Sequence, residues 1–451
     1  MMGRKLQLLI DTIQRLLRRD AHTNIKRIFA KTHPADLAIL ISYFDGAPKS
    51  LLFNLMDSNE TRALVLAEMH HPEAAEFLVG LPISEIVELL DTMDADDAAD
   101  ILGSFPEELS NEVLRRLEGA DADEVGDLLR YDEDTAGGIM TPDFIALHED
   151  MSAQQAIEAL RENREVDMAF YLYVVNDHEQ LVGVLSLRKL VLVAQGRVLK
   201  ELMEPSVASV RVDTDQEEVA RQVARYNLLA IPVVDENNTL IGIVTVDDVI
   251  DVIREEATED FLKMAGAGQE MLTTESVATS VRARAPWLLV GCIGGLLGAL
   301  VIKPFLGDLQ EHHYLALFMP IIMAMGGNIG TQSSTVIVRG LATGYVDRRK
   351  AAPVYWRELR VAILLGLAYG VIVGATSVLF SDGNVVYAGA VALSMTLAMG
   401  LAVSIGTLLP FILLRFGIDP AVSTGPFVTS AVDVLGLLIY FTVSTTFLTM
   451  L

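Results

Sequence analysis

Five apolar stretches follow one another in the last third of the chain, and each is long enough to cross a lipid bilayer. They span residues 286–306, 314–338, 361–380, 385–414 and 426–451. A membrane helix needs about 20 mainly apolar residues, because an α-helix rises only ~1.5 Å per residue through a ~30 Å hydrocarbon layer. The sequence therefore predicts an α-helical membrane domain with five spans.

Charged residues are concentrated before Pro286. All but seven of the 60 Asp and Glu and all but eight of the 34 Lys and Arg lie there, so this region carries a charge of −27 and the rest of the chain +1, for a net charge of −26. An acidic surface repels phosphate backbones, so we expect cations and not nucleic acid as partners. Solubility alone also explains acidic surfaces, and that alternative stays open. The single cysteine, Cys292, excludes a disulfide framework and a zinc-thiolate site.

Basic residues flank the apolar stretches mainly on one side. The bases that indicate the orientation are two before the first stretch, five of the six between the second and third, and one after the fourth: Arg282, Arg284, Arg348, Arg349, Lys350, Arg357, Arg360 and Arg415. The positive-inside rule places such segments in the cytoplasm. The N-terminus also lacks a secretory signal pattern. We therefore expect the N-terminus and the acidic region inside, and the C-terminus outside.

The first ~130 residues have helical periodicity with almost no strand signal. A short motif that contains proline recurs at residues 33–37, 81–86 and 105–109. In each copy the proline is at the expected first helical position and acids lie in the first turn. This pattern predicts a small solenoid of stacked short helices.

An internal repeat follows from Gly137, where β-branched runs alternate with helical segments. Residues 174–184 correspond to residues 233–243, and the pattern predicts two copies of one βαββα unit. A charged helical stretch, residues 247–270, then leads to the first span.

Asp433 is the only acidic residue that this division of the sequence places inside a span. An ionised carboxylate at the centre of a bilayer costs roughly 2.5–3.5 kcal/mol on insertion scales, so something must offset that cost. A packing hydrogen bond or a protonated side chain would suffice. Intramembrane acids more often mark an ion path, and this favours a cation site that faces water.

Glycines and amides interrupt the second stretch at residues 325–334. We expect an irregular backbone here, which survives at membrane depth only against protein or a wet cavity. Glycines would turn carbonyl groups towards a pore, and Asn328 and Gln332 would add neutral oxygens. Close packing of helices through small residues is the alternative.

A carboxylate with amide and carbonyl oxygens, and without thiolates or imidazoles, suits a hard cation such as Mg²⁺. Magnesium sheds its water reluctantly, so one Asp433 per chain could contact the hydrated ion. A two-fold dimer would bring two such side chains to one axis.

These features and several motifs together resemble the MgtE magnesium transporters from end to end. The motifs lie at residues 131–142, 213–220, 244–249, 256–260, 326–332, 419–421 and 426–433. The resemblance implies a homodimeric, magnesium-selective channel of the bacterial cytoplasmic (inner) membrane. It also implies a multidomain fold: an all-α helical-repeat N domain (1–136), α/β tandem CBS domains (137–199 and 200–254), a connecting or plug helix (255–284) and a five-helix transmembrane pore domain (285–451).

The resemblance further implies that cytosolic Mg²⁺ binds acidic sites and closes the pore. The residues implied are Asp94, Asp96, Asp97, Asp100, Asp134, Gly137, Asp215, Glu217, Asp248, Asp251, Glu256, Glu259, Asp260 and Asp419, with Asp433 and Asn328 in the pore. Asn227 departs from the acid that the family pattern leads us to expect. ATP at the CBS domains, near Arg188, is a further implied ligand.

Three alternatives remain at this stage. An ion-coupled transporter of another divalent cation, Co²⁺ or Mn²⁺, would need further intramembrane ionisable groups. A membrane-anchored sensor would leave Asp433 unexplained. An enzyme would need a catalytic motif, and the sequence has no Ser/His/Asp set, zinc motif, P-loop or Rossmann fingerprint.

Overall fold

The computed structural model describes residues 4–117, 120–162, 170–194, 196–268, 276–346 and 351–449. The chain divides into two compact units, Met1–Arg254 and Glu255–Leu451. Three of the basic residues used to predict the orientation, Arg348, Arg349 and Lys350, lie outside the described residues, as does the end of the charged stretch at Glu270.

Short α-helices joined by tight turns form the first half of the first unit. They are α1 (Arg4–Leu17), α2 (His22–Phe29), α3 (Pro34–Ser42), α4 (Ala47–Asn54), α5 (Asn59–Ala67), α6 (His71–Val79), α7 (Ile83–Leu90), α8 (Ala95–Gly103), α9 (Glu107–Leu114) and α10 (Ala120–Leu128). Pro34 begins α3 as predicted, whereas Pro82 and Pro106 each lie one position before their helix. Both positions suit proline, because the first backbone N–H groups of a helix have no partner inside it.

Two α/β repeats complete the first unit, as the sequence predicts. The first contains β1 (Ala146–His148), α11 (Ala153–Glu162), β2 (Tyr171–Val175), β3 (Leu181–Ser186), α12 (Leu187–Leu192) and α13 (Leu199–Leu202); the second contains β4 (Val210–Arg211), α14 (Gln216–Tyr226), β5 (Ala230–Val234), β6 (Leu240–Thr245) and the start of α15 (Val246–Met264). In each sheet the middle strand pairs parallel with the first strand and antiparallel with the last.

The two repeats pack on each other through matching glycines. Gly183 on β3 leaves room for the side chain of Met203, and Gly242 on β6 leaves room for Met140. Met140 precedes the first strand of the first repeat and Met203 precedes that of the second, and each contacts the glycine of the other repeat. The repeated Met and Gly positions in the sequence therefore have a packing cause.

One continuous hydrophobic core joins the helical half of the first unit to the second repeat. It runs from Ile13 and Leu37 in the early helices to Val219 on α14 and Val249 on α15. The acidic residues of α8 and of the first turns of α15 are consequently held on one packed body.

The second unit contains five helices that are long and apolar enough to cross a membrane, counted over the described residues. Its elements are the end of α15, then α16 (Val277–Ile302), α17 (Leu306–Glu311), α18 (Leu315–Ala342), α19 (Ala351–Ser377), α20 (Val385–Arg415) and α21 (Pro426–Leu448). α20 packs against α18, α19 and α21, and α16 packs against α21. The fold class predicted from the sequence is confirmed.

The predicted interruption of the second span is wrong. α18 is helical without a break through residues 325–334. Its glycines instead allow close packing: a side chain at Gly326 would meet Val432, and one at Gly330 would meet the carbonyl oxygen of Ala402. The alternative weighed from the sequence, close helix packing through small residues, explains these glycines.

The third membrane helix begins earlier than the sequence division placed it. α19 starts at Ala351, so Arg357 and Arg360 belong to the helix and not to the preceding loop. Glu358 is therefore also inside a spanning helix, and its side chain is only 14% exposed. The expectation that Asp433 is the only acid in the spans is therefore wrong. The sequence division excluded Glu358 because the basic residues around it are typical of a loop.

Candidate cation sites

Five carboxylates converge where α8 meets the start of α15. Asp94 precedes α8, Asp96, Asp97 and Asp100 lie along it, and Asp248 lies in the first turn of α15. Burial, together with the charges of the other four residues, raises the pKa of the Asp97 carboxyl to about 8. The group therefore repels itself when all of its members are ionised.

Asp96 and Asp248 have similar surroundings. Burial raises the pKa of Asp96 to about 6 and that of Asp248 to about 7. The Thr245 hydroxyl donates a hydrogen bond to Asp248, which partly offsets the effect of burial. The Oδ1 atom of Asp96 is buried and accepts no hydrogen bond from the described residues. An oxygen in that state is available to a cation.

His71 connects this group to Asp251. Its Nδ1 atom lies 3.6 Å from Asp100 Oδ2. Burial lowers the pKa of His71 and His70 lowers it further, while the charge of Asp251 raises it. Asp251 is exposed and pairs with Arg254 at 2.9 Å. His71 was not singled out from the sequence, because two adjacent histidines at a helix start carry no specific signal.

A second acidic site is an open cleft of about 700 Å³. It is lined by Tyr131, Asp132, Glu133, Asp134, Thr135, Asp213 and Asp215. Asp134 Oδ1 accepts a long hydrogen bond of 3.5 Å from Gln216, and Asp215 caps α14 by accepting the Glu217 N–H at 3.0 Å. Thus Asp134 and Asp215, both predicted as ligands, lie in one cleft.

Gly137 and Glu217 have other contacts. The Gly137 N–H donates to the Val212 carbonyl at 3.0 Å. A side chain at Gly137 would collide with Val212 and Tyr131, so only glycine fits. Glu217 pairs with Arg221 at 3.3 Å.

Asn227 ends α14 in the left-handed conformation, with φ of 53°. Asparagine tolerates that conformation better than most residues, and this gives a local reason for its presence at the position where an acid was expected.

Two of the predicted ligands, Glu259 near the end of α15 and Asp419 between α20 and α21, flank Lys263, which was not singled out from the sequence. Lys263 Nζ lies 2.5 Å from Glu259 and 2.7 Å from Asp419. Glu256 and Asp260 lie on the same helix and are half-buried.

Asp433 lies on α21 and is half-buried, and its carboxylate makes no hydrogen bond or ion pair with the residues that the structure describes. Its neighbour Val432 packs against Gly326 and Gly330 of α18. Asn328, on the same part of α18, is exposed. Both predicted pore residues therefore have free polar groups on packed helices.

Arg188 lies exposed on α12, which Ser186 caps by accepting the Lys189 N–H at 3.3 Å. Its guanidinium is thus available to an anionic ligand.

The chemistry of these groups is that of hard-cation ligands, carboxylate and amide oxygens. Over the described residues, however, no three His, Cys, Asp or Glu side chains are arranged closely enough to hold a metal ion by themselves. A hydrated ion, which needs few direct protein ligands, fits such open groups better than a dehydrated one.

Three family models match the chain. A divalent cation transporter model, MgtE, matches residues 319–443, the MgtE intracellular N domain matches residues 32–134, and the CBS domain matches residues 136–196 and 199–255.

Several known proteins are similar over most of the chain. The magnesium transporter MgtE of Thermus thermophilus is 35% identical over 96% of this chain and 97% of that protein. The magnesium transporter MgtE of Bacillus subtilis is 37% identical over 80% of each chain. A crystal structure of the cytosolic domain of the Mg²⁺ channel MgtE in complex with ATP is 36% identical, with a TM-score of 0.51 over 54% of this chain and 99% of that one. The chain therefore belongs to the MgtE family, which is a family of membrane-embedded divalent cation transporters and not of enzymes.

Proposed function

We propose that this protein carries Mg²⁺ across the bacterial cytoplasmic membrane and that cytosolic Mg²⁺ closes its pore. The observation that carries the proposal is the half-buried carboxylate of Asp433 on a membrane helix, which forms no hydrogen bond or ion pair with the described residues, in a chain whose relatives are named magnesium transporters. A carboxylate in this position needs a cation or water to offset the cost of leaving bulk solvent.

A two-fold dimer would complete the ion path. Val428 and Val432 face α18, while Phe427, Ser430 and Val434 line a groove against α16. Asp433 belongs to neither set, so a second copy could approach it from the remaining side of α21. Two Asp433 carboxylates and two Asn328 amides would then hold one hydrated ion on the symmetry axis.

The acidic group on α8 and α15 is the proposed sensor, together with the cleft that contains Asp134 and Asp215. Like charges ~4 Å apart cost about 4 kcal/mol at an effective dielectric constant of ~20, and a divalent cation between them reverses the sign. High cytosolic Mg²⁺ would pull these elements together and close the pore. Low Mg²⁺ would let them separate and open it.

This mechanism requires the N-terminus in the cytoplasm and the C-terminus outside. It also assigns residues 1–136 to the N domain, 137–199 and 200–254 to the CBS domains, 255–284 to the connecting helix and 285–451 to the pore domain. Membrane lipid is the other expected partner.

Nucleotide is a proposed second ligand of the CBS domains. The cytosolic domain of a relative was solved with ATP, and the exposed Arg188 could meet a phosphate group. Arg188→Ala should weaken ATP binding severalfold in calorimetry, whereas Arg161→Ala is a charge-matched comparison on α11. Equal affinities in both variants would remove Arg188 from the site.

The direct test is Mg²⁺ flux into liposomes that contain the purified protein. Asp433→Asn should reduce flux at least tenfold and leave the folded protein and its oligomeric state unchanged. Asp382→Asn is the matched control, because Asp382 lies in a turn between α19 and α20 with φ of 53°, which Asn tolerates. Wild-type flux through the Asp433 variant would refute the pore assignment.

The buried Glu358 supports one rival, an ion-coupled transporter of Co²⁺ or Mn²⁺, because coupling uses intramembrane acids. Flux that stops when proton and sodium gradients are removed, while a membrane potential remains, would favour the rival. Flux that continues without these gradients would favour the channel. The channel also predicts that the protein transports Mg²⁺ in preference to Co²⁺ and Mn²⁺.

A further inference from the structure

Lys263 lies between two carboxylates that the sequence marks as magnesium ligands. Its Nζ atom is 2.5 Å from Glu259, one turn earlier on α15, and 2.7 Å from Asp419, in the segment between α20 and α21. All three side chains are about one-third exposed, so the ion pairs are partly shielded from solvent. Burial lowers the pKa of Lys263, but its hydrogen bonds to Asp419 and Glu259 outweigh burial and the net pKa is raised. The ammonium group is therefore charged at neutral pH.

We propose that the Lys263 ammonium is a built-in cation that holds the end of α15 on the segment before α21, in place of Mg²⁺ at the Glu259–Asp419 pair. Lys263 is thus a positioning residue for the two helices that carry Asn328 and Asp433. The proposal rests on the proposed Mg²⁺ transport for its biological meaning, but the contacts that carry it are independent of transport.

Each oxygen of the Asp419 carboxylate has its own partner. Asp419 Oδ2 accepts from Lys263, and Asp419 Oδ1 accepts the Ala421 N–H at 2.8 Å. The second bond caps the 3-10 turn Pro420–Ser423. One carboxylate therefore joins the end of α15 to the turn that precedes α21.

The turn after Asp419 also contacts the membrane helices. Ser334 on α18 makes hydrogen bonds with Ser423 at 3.3 Å and with Thr424 at 3.1 Å, and all three side chains are buried. α21 begins two residues after Thr424, at Pro426. A shift of the turn would therefore move α18 and α21 together.

The backbone that follows α15 also approaches the backbone at the start of α21 closely. A side chain at Gly425 would lie 3.1 Å from the Met264 carbonyl oxygen, and one at Gly266 would lie 3.4 Å from Pro426. Gly266 has φ of 71° and ends α15 in a conformation that favours glycine. The two segments are thus in contact along their backbones, and the Lys263 ammonium supplies the charge balance for that contact.

A tethered ammonium and a divalent cation cannot occupy the same pair of carboxylates. While Lys263 is in place, this contact should form without Mg²⁺, so the response to Mg²⁺ would come from the other acidic sites. Without Lys263, Glu259 and Asp419 would repel each other until Mg²⁺ bound between them. Removal of Lys263 should therefore create a magnesium dependence where none existed.

Hydrogen exchange of the full-length protein in detergent tests this, with the segment between α20 and α21 as the readout. In the wild type, exchange of residues 417–425 should be equal in EDTA and in saturating Mg²⁺. In Lys263→Met, it should be about tenfold faster in EDTA and return towards the wild-type rate in Mg²⁺. Lys263→Arg keeps the charge and should behave as the wild type.

A double variant distinguishes loss of the Lys263–Asp419 ion pair from unfolding of the protein. Lys263→Met combined with Asp419→Asn removes the repulsion, so exchange in EDTA should be slower than in Lys263→Met alone, and Mg²⁺ should no longer change it. The proposal is overturned if the wild-type segment already depends on Mg²⁺, if Lys263→Met leaves exchange unchanged, or if Mg²⁺ fails to restore it. Because the readout is exchange and not flux, failure here is distinct from failure of the proposed transport.

Discussion

Asp96 on α8 lies beside Asp248 on α15, and the charge of Asp96 raises the pKa of the Asp248 carboxyl. These helices belong to one packed body, since Ala98 of α8 and Val249 of α15 lie in the same hydrophobic core. Apolar packing therefore holds together carboxylates that repel each other. A structure of this kind changes its stability when a cation or a proton neutralises the charges.

Removal of one charge from this group should stabilise the first unit when Mg²⁺ is absent. Asp97→Asn should raise the free energy of unfolding by on the order of 1 kcal/mol at pH 8. The asparagine is neutral, so the folded state no longer holds an ionised carboxylate partly buried among like charges. Chemical denaturation followed by hydrogen exchange in α8 would measure the change.

The same variant should gain less stability from Mg²⁺ than the wild type does, because one ligand charge is lost. Asp45→Asn is the control, since Asp45 is an exposed acid of the same helical region. If Asp97→Asn and Asp45→Asn have the same effect, the α8 group is only a solvated helix face.

Without Mg²⁺, the stability of the first unit should fall as the pH rises from about 5 to about 8. The pKa values of Asp96, Asp248 and Asp97 are raised to about 6, 7 and 8, above the value of ~3.9 for an unfolded chain. Between these limits the folded state binds more protons than the unfolded state, so protons stabilise it. The effect is complete below the unfolded value and is lost as the pH rises through the folded values.

Opening free energies from hydrogen exchange in α8, corrected for the intrinsic pH dependence of exchange, would measure this slope. A variant with all three of these aspartates changed to asparagine should lose most of it. A wild-type stability that is flat or that increases over the same range would contradict the assigned repulsion.

The fold was predictable from the sequence to the level of domains and helices. The five apolar stretches are long helices in the structure, and the repeated α/β pattern forms two similar units. Both were predictable because the length of an apolar stretch and its periodicity determine these elements locally. The course of the backbone at residues 325–334 was not predictable. Glycines in a membrane helix are compatible with a break or with close packing, and only the neighbouring helices decide between them.

The candidate sites were predictable only in part. Asp433 is conspicuous because it is an acid in an apolar stretch. The contact between α8 and α15 could not be predicted, because it depends on packing between residues that are far apart in sequence. Lys263 was not predicted, because it lies among other charged residues and does not stand out in the sequence. A lysine in a charged helix is the commonest solvated residue, and its role depends on Asp419, which lies far away in sequence.

Close packing of α18 against α20 should be sensitive to a single methyl group. A side chain at Gly406 on α20 would overlap the carbonyl oxygen of Gly330 on α18, so this contact allows no Cβ atom. Gly406→Ala should force the helices apart and destabilise the membrane domain by about 1–3 kcal/mol. Thermal unfolding in detergent would measure the loss. Gly389→Ala, on the same helix, should have little effect because nothing lies within 4 Å of the added atom. Equal unfolding temperatures for the two variants would mean that this helix contact is looser than the structure indicates.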